Sequence, residues 1–327
     1  MLAESPYALI SEMLESPGIM RRFDPDQGAD WARVIDEKKR LFLTGEGASR
    51  IFPAKNMIDL SLRRNIPWQI CTEGARQAAE YDLSRFIVIG ASNSGQTKEL
   101  ISLFEKLKRE GVTSYGITAT ADSKLAKIAD YSKRLSCGPE KAIAATKSVI
   151  EQALVYQSLL RGEEWENKNK AADACEEVLM QVMPPEIIDR LSTAPIIYFS
   201  GRNNGVAEEL ALKANEIAHK KSCYLEGTYA LHGIEEVMQK NEVIVLIEPF
   251  KEDIEKYREV LVGRTGITII AIASFDTPFP AIKIPALEGF NAYMQLLAGW
   301  NLLVAAALAN GINIDKTERA RKVGNRI

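Results

Sequence analysis

The chain has 327 residues, 46% of them hydrophobic and 26% charged, with a formal net charge of −3 at pH 7. That size suits a soluble globular protein with two modest cores. The slightly acidic balance leaves no basic footprint for nucleic acid or an anionic membrane, so an anionic ligand would need local donors.

In chain order, the first twenty residues carry acidic groups and lack a positive segment followed by an apolar core. They read as a short amphipathic helix and not as a signal peptide. Short strand-like runs, most of them with β-branched residues, then alternate with helical stretches: 40–44, 86–89, 113–117 and 131–135 in the first half, and 195–199, 243–247, 266–272 and 281–284 in the second. This alternation predicts βαβ units and parallel sheets. The polar stretch 162–170, GEEWENKNK, is the natural boundary and predicts domains over 1–165 and 166–327. Two echoes argue for an internal duplication. The first strand of each half runs into a glycine turn, at Gly45-Glu-Gly-Ala-Ser49 and Gly201-Arg-Asn-Asn-Gly205, and each half later carries a Glu-Gly pair, Glu73-Gly74 and Glu226-Gly227. Residues 292–312 are apolar enough to raise a membrane span. Gln295, Asn301 and Asn310 interrupt them, which favours a buried or interface helix and no membrane.

The four cysteines, Cys71, Cys137, Cys175 and Cys223, show no CxxC pair, and the only histidines are His219 and His232. A metal centre is not expected, and the cysteines read as reduced residues of a cytoplasmic protein.

The densest polar stretch is Ser92-Asn-Ser-Gly-Gln-Thr97, directly after a strand and before the helical run that starts at Lys98. Unsatisfied N–H groups at a helix start, ringed by the hydroxyls of Ser92, Ser94 and Thr97, make an anion cradle. The plainer reading is a helix cap by Ser94 or Thr97 with nothing bound, although one hydroxyl suffices for a cap. Neither a GxxxxGK[ST] loop nor a GxGxxG with a downstream ribose acid is present, which disfavours nucleotides and leaves a small anion such as a sugar phosphate. Further on, Glu209, Lys213 and Glu216 fall at i, i+4 and i+7 on one helix face. Such a trio is often a solvated face, but the intervening Leu210, Ala211, Leu212 and Ala214 favour burial, where proton-transfer groups are tuned. His232 stands alone beside a glycine, which by itself reads as structural.

Gly90-Ala-Ser-Asn-Ser-Gly-Gln-Thr97 resembles the S-x-S-G-x-T loop of the sugar isomerase (SIS) family. Residues 137–147, CGPEKAIAATK, resemble the A-G-P-E-x-x-V-A-S-T-K segment of the tandem-SIS isomerase domain of glucosamine-6-phosphate synthase, and Glu46-Gly-Ala-Ser49 its C-G-T-S turn. The similarity continues through 209–216, 227–233 and the C-terminal tail. The resemblance implies two tandem doubly wound SIS domains, each a parallel sheet flanked by helices, that bind a sugar with a terminal anion. It places Ser49, Ser92, Asn93, Ser94 and Thr97 at the anion, with Gly47 and Glu209 in the binding set. It implies Glu216 as the base that moves a proton between C1 and C2, His232 as the ring-opening group and Lys322 as a lysine that contacts the open-chain carbonyl or assists ring opening, with a Schiff base open to it; Lys213, one turn from Glu216, is placed to stabilise the developing oxyanion.

The family loop that carries this histidine enters the neighbouring subunit's site, so a homodimer is implied. Ala48 and Ala145 stand where the family has threonine and serine, which removes two hydroxyl donors; Arg50 is close enough in sequence to compensate. The expectation is a cofactor-free aldose–ketose isomerase of a six-carbon sugar, foremost a hexose or hexosamine 6-phosphate, with no glutaminase domain. Three alternatives stand beside it: an amino-sugar-phosphate deaminase or deglycase, an isomerase of a sulfonated sugar of the sulfoquinovose type, and a non-catalytic sugar-phosphate sensor.

Overall fold

The computed structural model describes residues 5–317 and 319, and the chain divides into two compact units, residues 8–172 and 173–317. The first unit holds a five-stranded parallel sheet of β1 (Arg40–Gly45), β2 (Gln69–Gly74), β3 (Ile87–Ala91), β4 (Ser114–Thr118) and β5 (Tyr131–Arg134), in the order β2-β1-β3-β4-β5. The second holds β6 (Ile196–Gly201), β7 (Lys221–Glu226), β8 (Val243–Ile247), β9 (Thr268–Ala273) and β10 (Ala281–Lys283), in the order β10-β9-β8-β6-β7. Read from the edge strand inward, the two orders are identical, as a duplication predicts.

The central strands are legible because both faces are covered. β3, β4, β8 and all but the first residue of β1, β6 and β9 are buried, and a parallel sheet under helices selects mostly apolar runs there, β4, as SYGIT, being the most polar of them. The edge strands β2 and β7 do not stand out in the sequence. Each is half-exposed and mixes cysteine with charged and hydroxyl residues, as QICTEG and KSCYLE, so neither shows an apolar run. Both end on the Glu-Gly pairs noted above. Thr44 near the end of β1 donates its hydroxyl to the Glu73 carbonyl at 2.9 Å, and Ser200 near the end of β6 does the same to Gly227 at 3.2 Å. The echo in sequence is therefore an echo in hydrogen bonding.

In the first unit a core of Phe42, Val88, Leu100, Phe104 and Leu107 joins the sheet to the Lys98–Arg109 helix. In the second, Tyr198, Ile244, Leu246, Tyr257 and Leu261 form the corresponding cluster. The apolar run near the C-terminus forms the Asn291–Ala309 helix, which is long and apolar enough to cross a membrane by composition, yet 78% of its window is buried. It packs against the Pro185–Thr193 and Val206–Glu216 helices and β9. Its polar interruptions are used in packing. The Asn301 amide donates to the carbonyls of Val178, Leu179 and Gln181, which close the Lys168–Met180 helix, and Asn310 donates to the Ser192 carbonyl.

In each sheet the chain leaves the first strand in one direction and returns on its other side. The carboxyl ends of β1 and β3, and of β6 and β8, are therefore the switch points where such folds place ligands.

Candidate active site

At the first switch point β1 runs through Gly45 into the turn Gly47–Ser49, with Gly47 at φ +55°, and β3 runs into Ser92–Thr97. A Cβ on Gly90 would lie 2.5 Å from the Phe104 ring, so glycine there lets the Lys98–Arg109 helix close onto β3 just before the loop. Gly95 has φ +60°, and a Cβ there would sit 2.2 Å from Ser123 Oγ. Both conditions are met only by glycine.

The loop is tied down by its main chain. Ser92 N–H donates to Ile117 O at 2.9 Å, Ala119 N–H to Asn93 O at 3.0 Å, and Leu125 N–H to Gly95 O at 3.0 Å. Ser92 Oγ accepts from Gly95 N–H at 3.1 Å and pairs with Thr97 Oγ1 at 2.9 Å, while Ser94 Oγ accepts from Gln96 N–H at 3.3 Å. Thr97 precedes the first helical residue, yet makes no capping bond to the Lys98–Arg109 helix. Ser123 shows what a cap looks like in this chain, since its hydroxyl accepts from Ala126 N–H at 3.2 Å. The Ser92 and Thr97 hydroxyls thus face each other, while Ser94 Oγ meets the backbone of its own turn.

Ser49 is half-buried in its turn, and Ala48 and Ala145, the two positions lacking hydroxyls, are buried and half-buried respectively. Glu140 is the glutamate of the Gly-Pro-Glu stretch in the 137–147 segment, and nothing in the sequence assigns it a partner. Its carboxylate accepts from Asn93 Nδ2 at 2.7 Å across 47 residues, and from the Thr146 N–H at 2.7 Å and Ser148 Oγ at 2.6 Å. Lys147 is taken up by Glu15, at 2.8 Å.

The second unit holds the other group. The Val206–Glu216 helix packs against β6, β7 and the Asn291–Ala309 helix, which buries most of it. Lys213 Nζ lies 2.7 Å from Glu216 Oε2 and 3.2 Å from Glu209 Oε1, with the Lys213 and Glu209 side chains 0% exposed and Glu216 30% exposed. Burial pushes the Glu209 carboxyl up to about 7, against the pull of Lys213. Burial acts on Lys213 in the opposite sense, but Glu216 and Glu209 outweigh it and the ammonium is held above its usual range. The result is a protonated lysine that reaches the surface only through the Glu216 carboxylate. Glu209 meets Lys213 and not solvent. His232 is exposed in the loop after β7, following the Tyr229–Leu231 turn. Lys322 lies outside the described residues.

The loop, the glycine turn and the strand order coincide with a known domain: the SIS domain family model matches residues 34–161. Residues 34–161 are a SIS domain. The chain is 27% identical over 97% of its length to the isomerizing glutamine–fructose-6-phosphate aminotransferase of Sulfolobus acidocaldarius, of which it covers 56%. It thus spans somewhat more than half the length of that relative. Among solved structures it resembles the C-terminal domain of glucosamine-fructose-6-phosphate aminotransferase from Francisella tularensis, with a TM-score of 0.79 at 19% identity, covering 96% of this chain and 99% of that one. It also resembles tagatose-6-phosphate ketose/aldose isomerase from Escherichia coli, with a TM-score of 0.81 at 16% identity, covering 96% and 98%. These likenesses run past the SIS domain into the second unit, whose strand order repeats it. The fold is two tandem SIS-type α/β domains.

Proposed function

We propose that the chain is an aldose–ketose isomerase of a six-carbon sugar bearing a terminal anion, foremost a hexose or hexosamine 6-phosphate. The observation that carries the reading is the partly exposed Glu216 carboxylate, held at 2.7 Å by a fully buried, protonated Lys213. Interconversion of aldose and ketose passes through an enediol. A carboxylate in hydrogen-bond reach takes the carbon-bound proton from one carbon and returns it to the other. Lys213, enclosed behind Glu216, orients that base. The Ser92–Thr97 loop, with Ser49, holds the anion through hydroxyls and N–H groups. The names of the relatives, which concern fructose 6-phosphate and tagatose 6-phosphate, support the substrate class. His232, exposed on its loop, serves ring opening in a second copy of the chain, and Lys322 meets the open-chain carbonyl.

A second reading is a sulfonated sugar, favoured by Ala48 and Ala145. A sulfonate carries one negative charge where a phosphate monoester carries nearly two at neutral pH, so it needs fewer donors. The test is proton exchange in D₂O with hexose and hexosamine 6-phosphates and 6-sulfonates, following deuterium at C1 and C2 and the release of ammonia. Deuterium uptake is expected, with Glu216→Gln slowed by about 10²–10⁴-fold, the usual worth of a placed general base. Mixing Glu216→Gln chains with His232→Ala chains then restores exchange. A Glu216→Gln protein that exchanges as fast as the parent removes the mechanism, and preference for the sulfonate selects the second reading.

A further inference from the structure

The segment 136–146, between β5 and the Lys147–Ser158 helix, has no regular secondary structure, and carboxylates meet its backbone N–H groups. Glu151 accepts from the N–H of Ser136 and of Cys137, each at 2.7 Å. Glu12 accepts from Lys141 and, at 3.2 Å, from Ala142. Glu140 accepts from Thr146 N–H at 2.7 Å and Ser148 N–H at 3.4 Å, and also from Thr146 Oγ1 at 3.3 Å, Ser148 Oγ at 2.6 Å and Asn93 Nδ2 at 2.7 Å.

Glu140 differs from the other two carboxylates in reaching outside the segment to the anion loop. It is 6% exposed, and a carboxylate so buried is tolerable only when donors surround it. One of those donors belongs to Asn93. The main chain of the same residue is held from the other side, where Asn93 O accepts from Thr118 Oγ1 and Ala119 N–H, both at 3.0 Å. Asn93 is therefore pinned between the end of β4 and Glu140, and the three following residues, Ser94-Gly95-Gln96, turn from that fixed point.

We propose that Glu140 is a positioning residue for the anion loop. Through Asn93 it holds Ser92–Thr97 in its binding shape before a ligand arrives, so that binding costs no reordering of the loop. It touches no ligand itself. This rests on reading Ser92–Thr97 as the loop that takes the sugar's anion, but the tie can be tested without a ligand.

Hydrogen exchange of the ligand-free full chain is compared for the parent, Glu140→Gln and Asn93→Ala. With Glu140→Gln, amides in both 92–97 and 136–148 exchange about tenfold faster, as expected when a charge-assisted tie opens locally. Asn93→Ala, which leaves Glu140 its donors at Thr146 and Ser148, loosens 92–97 while 136–148 stays protected. A 92–97 loop that exchanges at the parent rate in both variants overturns the proposal. Affinity for a hexose 6-phosphate gives the second arm. Each single variant binds at least about tenfold more weakly, and the double variant no more weakly than Asn93→Ala alone, because without the Asn93 amide Glu140 has no hold on the loop. Strictly additive losses overturn the shared tie. A parent protein that binds no anionic sugar defeats the functional reading alone, since the exchange arm still decides the role of Glu140.

Discussion

At the scale of single residues, the trio Glu209, Lys213 and Glu216 shows how one helix face gives two like groups unlike behaviour. Glu209 and Glu216 flank the same ammonium, but Glu209 is sealed and Glu216 is 30% exposed. Burial pushes the Glu209 carboxyl up to about 7 from its ordinary 4.5. A carboxyl raised in this way binds its proton more tightly in the folded state. Its contribution is fully present below about 4.5 and is lost as pH rises through about 7. Glu209→Gln does not titrate. The stability of the variant relative to the parent is therefore expected to rise by up to ~3 kcal/mol across that window and to level off above it, at roughly 1.4 kcal/mol for each pH step between the two values. Urea unfolding of both proteins at a series of pH values checks this, and a difference that is flat between pH 4.5 and 7 would sink it. The i, i+4, i+7 spacing announces the trio in the sequence. Which of its members faces solvent does not follow from spacing, because β6, β7 and the Asn291–Ala309 helix decide it.

At the scale of elements, legibility follows burial for most strands, although the exposed edge strand β5 is also read at 131–135. Central strands are written as apolar runs, while β2 and β7, each an edge, carry mixed patterns and leave only their closing Glu-Gly pairs as a trace. The hub at Glu140 is hidden for another reason: its partners lie 47 residues away at Asn93 and 6 and 8 residues away at Thr146 and Ser148, with no periodicity to link them. Glycines can be read more directly once the elements are placed. Gly90→Ala drives a Cβ to 2.5 Å from the Phe104 ring and 2.8 Å from Leu100 Cδ1, so the Lys98–Arg109 helix must shift away from β3. Overpacking of this kind costs about 1–3 kcal/mol. Because the shift begins two residues before Ser92, affinity for the anionic sugar is expected to fall together with the unfolding midpoint. Retained affinity in a destabilised Gly90→Ala protein would show that the loop's shape is independent of the helix behind it.

At the scale of the whole molecule, the duplication repeats strand order without repeating chemistry. The second switch point lies at the ends of β6 and β8, where the first unit has its glycine turn and hydroxyl loop. There the chain places Glu248, at φ +46°, a left-handed conformation that a glutamate adopts only when held. Its carboxylate accepts from Ser274 N–H at 3.0 Å and Ser274 Oγ at 2.5 Å, and its carbonyl accepts from Arg202, whose guanidinium lies 4.4 Å from the centre of the Phe250 ring. The Ser274 donors and the Arg202 guanidinium are thus engaged by Glu248. The first unit keeps three hydroxyls at the equivalent place, and two of them, on Ser92 and Thr97, bond each other at 2.9 Å. One anionic sugar per chain is expected in calorimetric titration. The Ser92→Ala, Ser94→Ala double variant should lose that binding, while Glu248→Ala leaves it in place. A stoichiometry of two per chain, or binding that survives in the double variant, would mean that the second switch point has kept the function its fold inherited.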